Sequence, residues 1–217
     1  YKLNLFNKIN WSRLSRNPNA IQLLEQNQDK IVWKRLSENP NAIELLKQQI
    51  DYENNLTTDE YQKLKLYEKI NWNNLSYNEN AIELLKENKD KIDWCCLSEN
   101  PNAIDLLRER IEYEKSLTNE ELYKLRNSNK INWDELSRNP NAIELLKENQ
   151  EKIYWGWLSL NPNAIDLLKE NQDKIYWSNL SENPNAIDLL KENQDKIDWS
   201  ELCRNRNIFE DEHIPII

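Results

Sequence analysis

The chain has 217 residues and a net charge of −9, and it contains one Gly, one His, three Cys, no Met and nine Trp. One glycine cannot build a phosphate-cradling loop or a dinucleotide fingerprint, and one histidine leaves any His-centred catalytic or metal site resting on a single ring, His213. The acidic balance works against non-specific attraction to nucleic acid or anionic membrane, because both need basic surface to neutralise phosphate.

From Lys8 onward one unit recurs. The pattern Lys-Ile-x-Trp-x-x-Leu-Ser-x-Asn-Pro-Asn-Ala-Ile-x-Leu-Leu starts at Lys8, Lys30, Lys69, Lys91, Lys130, Lys152, Lys174 and Lys196, and each unit is 22 residues long. Two longer gaps hold related 17-residue inserts, 52–68 and 113–129. The leader ahead of Lys8 matches the tail of an insert, since Tyr1-Lys2-Leu3 repeats Tyr123-Lys124-Leu125. A 61-residue super-repeat of two units and an insert is therefore expected to continue upstream, which would make this chain the C-terminal fragment of a longer one.

Each repeat predicts two helices. Asn10, Asp93 or Asp198 can cap a turn or two running Trp-x-x-Leu-Ser, with Trp11 and Leu14 on one face. Asn17 can cap a second helix with Pro18 at its first position, where the missing N–H costs nothing. Ala20, Ile21, Leu23 and Leu24 form its apolar stripe, and Asn27, tolerant of a left-handed backbone, is its expected stop.

Before each insert that stop becomes Gln49 or Arg110, while Ile50 or Ile111 extends the stripe, so both of these second helices should run longer. The inserts open on capping boxes, Thr57-x-x-Glu60 and Thr118-x-x-Glu121, and each predicts a third helix. In the last repeat Asp211 and Glu212 replace the two leucines, which predicts a polar C-terminal cap and tail over 203–217. A hairpin of this size cannot bury its own apolar face, so neighbours must stack. The expected fold is all-α: one repeat domain over 1–217, an α-solenoid of 22-residue helix hairpins with two 17-residue helical inserts.

No apolar run approaches the roughly 20 residues that span a bilayer, and no membrane partner is expected. The adjacent Cys95 and Cys96 lack the spacing of a redox or zinc motif and are expected to be ordinary reduced thiols. The repeated lysines follow acids (Asp29, Asp90, Glu151, Asp173, Asp195), which predicts a locally neutralised face. Glu83 with Lys86 and Asp188 with Lys191 are expected helix-surface pairs. No carboxylate pair has an identifiable apolar pocket to shift its pKa. Catalytic residues, metal ligands and cofactors are therefore not expected, nor is enzymatic activity.

The unit Trp-x-x-Leu-Ser-x-Asn-Pro-Asn-Ala-Ile-x-Leu-Leu with its Lys-Ile start resembles the short tandem-repeat proteins of nucleocytoplasmic giant DNA viruses, the mimivirus-like group especially, over Lys8 to about Phe209. The resemblance implies repeat architecture and a viral origin, and it implies no reaction. The inserts depart from the simple tandem pattern.

Columns that vary while the scaffold stays constant face solvent or a partner. The most variable are the residue before Trp, the two after it and the one after Ser. In the sixth repeat they turn apolar together as Tyr154, Trp157 and Leu160, with Tyr176 one repeat along. Aromatic residues at otherwise solvated positions predict a contact site for a protein partner, viral or host, the alternative being cover by an upstream helix or a tail of the same chain. The leading expectation is a non-enzymatic protein–protein interaction scaffold. The alternative is a virion structural component, a minor capsid or internal layer protein contacting capsid proteins, and a nucleic-acid-binding repeat protein ranks third. The expected location is the virion or the host cytoplasm.

Overall fold

A computed structural model describes residues 8–208. The leader, His213, the Asp211 and Glu212 substitutions and the tail Ile214–Ile217 lie outside the described residues. Among the described residues every regular element is helical, and the repeats form the all-α solenoid expected of them. The chain divides after Lys130 into two compact modules of four repeats each, and both inserts belong to the N-terminal module. The repeat arithmetic alone marks no such division.

The first helix of a repeat is short, from Trp11–Arg16 in the first to Trp199–Leu202 in the eighth. Its N-cap works as expected where Asn or Asp stands there. Asn10 Oδ1 accepts the Arg13 N–H at 3.0 Å, and Asn71, Asp93, Asn132 and Asp198 act likewise. Such a cap stabilises a helix by roughly 1 kcal/mol.

The second helix starts later than its Asn-Pro signal suggests. Asn17 Oδ1 does accept the Asn19 N–H at 3.0 Å, but Pro18–Ala20 form a 3-10 turn and the α-helix begins at Ile21.

The stop at Asn27 is a correction. No described residue other than Gly has a positive φ, and Asn27 sits at φ −138°. Its side-chain amide instead donates to the Leu23 carbonyl four residues back at 2.8 Å, satisfying one of the carbonyls that a helix end leaves open. Asn88, Asn149, Asn171 and Asn193 repeat that bond.

Where the stop is missing the helix continues as predicted, over Ile43–Asn54 and Ile104–Ser116. The first residues of each insert are thus absorbed into a second helix. Both capping boxes form, opening the insert helices Thr58–Lys63 and Asn119–Lys124. The inserts return through 3-10 turns, Leu66–Glu68 and Asn127–Asn129, packed on the first helices Trp33–Leu36 and Trp94–Leu97.

The core is built from three columns. Leu36, Leu75, Leu97, Leu136, Leu158 and Leu180 come from first helices, and pairs such as Leu145 with Leu146 come from second helices. The alanine of each Asn-Ala step and the Lys-Ile isoleucines of the second to seventh repeats complete it. The scaffold tryptophans stand at its margin instead. Of these, only Trp94 is buried, while Trp199 in the last repeat is 66% exposed.

Polar columns join the repeats. Ser15 Oγ donates to the Trp11 carbonyl at 2.8 Å and accepts the Val32 N–H of the next repeat at 3.0 Å. The same junction bond links Ser37 to Asn71 and Ser76 to Asp93 in the N-terminal module, and Ser137 to Tyr154, Ser159 to Tyr176 and Ser181 to Asp198 in the C-terminal one. The Asn before Pro does two jobs. Its Oδ1 caps its own turn, and its Nδ2 reaches back into the preceding repeat: Asn39 to the Ser15 and Asn17 carbonyls, Asn161 to those of Ser137 and Asn139, all at 3.0–3.1 Å. These serines and asparagines are buried, so each bond offsets the desolvation of a backbone carbonyl that would otherwise lie unpaired.

Candidate functional site

Tyr154, Trp157 and Leu160 lie on the first helix of the sixth repeat, Trp155–Leu160, with Tyr154 at its N-cap. Tyr176 holds the same N-cap position of Trp177–Glu182 in the seventh. Neither tyrosine side chain caps its helix. Tyr154 is 46% and Tyr176 56% exposed. Exposed tyrosines also occur in and beside the inserts and at Tyr77, so exposure alone does not distinguish these two. What does is that consecutive repeats each place an aromatic ring where five others place a capping Asn or Asp.

The structure brings Tyr154 and Trp157 together, with ring centroids 6.3 Å apart and a 47° tilt. Trp157 and Leu160 are only half-buried rather than open. The Arg138 guanidinium, from the fifth repeat, lies 4.8 Å over the Trp157 ring, a cation–π contact worth about 0.5–1 kcal/mol. The patch expected as four open residues thus narrows to the two tyrosines and the uncovered part of Trp157. Gly156, the only glycine in the chain, is buried beneath this arrangement. A Cβ there would meet Tyr154 Cε1 at 3.0 Å, so glycine makes room for the ring rather than for an unusual backbone. Its carbonyl accepts the Asn179 side-chain amide of the next repeat at 2.9 Å.

The lysine column has a different role from the one expected. Lys30 pairs with Asp29 at 2.8 Å, but Lys91, Lys174 and Lys196 lie over the tryptophan of the preceding repeat, at 5.1, 4.6 and 4.5 Å from Trp72, Trp155 and Trp177. Each lysine shields a marginal tryptophan. The expected helix-surface pairs do form, Lys86 with Glu83 at 2.8 Å and Lys191 with Asp188 at 3.8 Å.

Sequence reasoning missed a cleft of about 530 Å³ beside the first insert, lined by Glu53, Asn54, Leu56, Thr58, Tyr61, Trp72 and Lys91. Burial raises the Glu53 carboxyl above its usual range, and hydrogen bonds from the Ile70 N–H at 2.7 Å and the Gln49 amide at 3.2 Å act against that rise. Gln49 also donates to the Glu68 carbonyl at 3.0 Å. Glu53 and Gln49 are thus committed to stitching the exit of the insert to the helix that enters it. Their i, i+4 spacing on the extended helix was the available signal. Lys91 Nζ donates to Asn54 Oδ1 at 2.6 Å, and Lys69 lies 4.2 Å over the Tyr61 ring.

Burial pushes the Cys96 thiol up to about 12, which keeps it protonated at neutral pH and a poor nucleophile. Among the described residues no three His, Cys, Asp or Glu side chains are grouped to hold a metal ion, and no helix is long and apolar enough to cross a membrane. No known protein family, curated protein or solved structure matches the chain.

Proposed function

We propose that the protein is a non-enzymatic scaffold for protein–protein interaction, with the tyrosine column of the sixth and seventh repeats as its contact surface. One observation carries this reading. At Tyr154 and Tyr176 the chain gives up a helix cap worth roughly 1 kcal/mol and places a large exposed ring there instead. Tyrosine offers broad, rigid contact area with a polar tip at low entropic cost, the chemistry typical of interface anchors. Gly156 supports the same reading, because it lets the Tyr154 ring lie down beside Trp157.

On the resemblance, the partner is a viral or host protein. The test is affinity capture from giant-virus-infected cells with the native chain and with the Tyr154→Asn, Tyr176→Asn double variant. Asn is what the first, third and fifth repeats use at this position, so the variant is expected to melt no lower than the native chain. A protein captured by the native chain and lost with the double variant bears out the reading. Identical captured sets sink it.

A further inference from the structure

The bonds that the repeated serines and asparagines make between repeats all run one way, whereas the surface ion pairs Arg16 with Glu38 and Lys89 with Glu109 run the other. In the former, the downstream repeat donates and the upstream repeat accepts at every junction within a module. The donors are the N–H before Trp and the side-chain amides of the two asparagines in each Asn-x-Asn step; the acceptors are the Ser hydroxyl and backbone carbonyls. Asn78, for example, donates to the Ser37 and Asn39 carbonyls at 3.1 and 3.0 Å, and Asn80 to the Pro40 carbonyl at 3.0 Å. A directional ladder leaves its two ends chemically unlike.

The first repeat has the donor face and, among the described residues, no acceptor for it. Among the described residues nothing accepts from the Asn10 N–H, the Asn17 Nδ2 or the Asn19 Nδ2, although Asn17 Oδ1 still caps its own turn. Asn17 is exposed, whereas Asn39, Asn78, Asn100, Asn161, Asn183 and Asn205 are buried. The apolar part of this face is open too: Leu14 and Ile9 are half-buried where their counterparts Leu36 and Ile31 are buried.

The eighth repeat is the reverse. Its donors are engaged, Asn205 with the Ser181 and Asn183 carbonyls and Asp198 N–H with Ser181 Oγ. Its acceptor serine, however, is replaced by Cys203, whose thiol donates to the Trp199 carbonyl at 3.2 Å and is a weak acceptor.

We infer that the exposed face of the first repeat is a docking surface for the acceptor end of another repeat of this same type, one with its serine intact, and that the chain's own eighth repeat is not that partner. The occupant is specified by continuity with the junctions already formed, which show the groups that meet this face and their geometry. A preceding insert does not take that place. The third repeat follows one, yet its donors reach past it to Ser37 and Asn39.

The experiment places a copy of residues 30–68 directly ahead of Lys8, reproducing the sequence that precedes Lys69, and reads amide hydrogen exchange in Trp11–Arg16. The extended chain should exchange there about tenfold more slowly than the parent. Asn17→Asp keeps the capping oxygen, removes the donors and sets a carboxylate against the carbonyls they would meet. It should return most of the protection in the extended chain and leave the parent unchanged. No gain on extension, a gain that Asn17→Asp does not touch, or an equal loss in both chains would each overturn the inference.

Discussion

Repeats six and seven differ from the capped repeats at one edge and match them at another. Their first helices begin at an uncapped Tyr154 or Tyr176, where Asn10, Asn71, Asp93, Asn132 and Asp198 cap the others. Yet the Ser137–Tyr154 and Ser159–Tyr176 junction bonds are 3.0 and 3.1 Å, the same as Ser15–Val32 and Ser76–Asp93. The N-cap position contributes its backbone N–H to the scaffold and leaves its side chain free. Any residue type with a backbone N–H, which excludes only proline, serves the junction, so the column can change from Asn to Tyr without disturbing the stack. The asparagine column has no such freedom, because both ends of its amide are in use.

That contrast can be broken most sharply at Asn161. Asn161→Ala strips the donor from two buried carbonyls and removes the cap on Asn163, and it should cost about 2–4 kcal/mol in urea unfolding. Asn17→Ala, at the exposed counterpart, should cost clearly less. Equal losses would show that burial of the ladder does not govern its strength.

The insert junction offers a second test. Because burial raises the Glu53 carboxyl above its ordinary value of 4.5, the folded state holds that proton more tightly than the unfolded chain. Its contribution is fully present below that value and is lost as pH rises through the raised one. Glu53→Gln should flatten that part of the stability profile between acid and neutral pH. An unchanged profile would remove Glu53 as the cause.

A smaller effect of opposite sign is expected at the tyrosines. Tyr176→Asn restores the cap and should raise stability by about 0.5–1 kcal/mol, read from thermal melting, while weakening any partner that uses the ring. A loss would mean that the ring is held by the chain's own packing.

The smallest change is Gly156→Ala. Helix propensity favours alanine by up to about 1 kcal/mol, but the new methyl must displace the Tyr154 ring. A net change of a few tenths is expected in the native chain, with the full gain only in a Tyr154→Asn background. Equal gains in both would show that the ring does not press on Gly156.

Much of this fold is legible from local signals. Repeat period, capping boxes and the lengthening at Gln49 and Arg110 follow from spacing and stop residues, which act within a few residues of themselves. The ladder does not. Asn39 carries every mark of a local cap and is one, and nothing nearby in sequence reveals that its other end bonds carbonyls 22 and 24 residues back. Asn27 misleads for a related reason, since a side-chain bond to Leu23 ends the helix as well as a left-handed residue would. The lysines follow acids in sequence, and nothing local reveals that Lys174 and Lys196 lie over the tryptophan one repeat away. At the candidate site the tyrosine column could be read from variation between repeats. The cover that Arg138 gives Trp157 could not, because it depends on how neighbouring repeats are set.

The serine and asparagine bonds that pass over the first insert have a consequence for chain topology. In plain junctions the bonds of the first asparagine close loops of 22 to 24 residues, and across the insert they close loops of 39 to 41. Lengthening a flexible loop by that ratio raises its closure cost by only about 0.5 kcal/mol, less than one net hydrogen bond contributes at its typical value of about 1 kcal/mol. The junction is therefore nearly indifferent to how far the chain travels between its two halves, and new segments can be spliced in at this seam without renegotiating the contacts that hold the array.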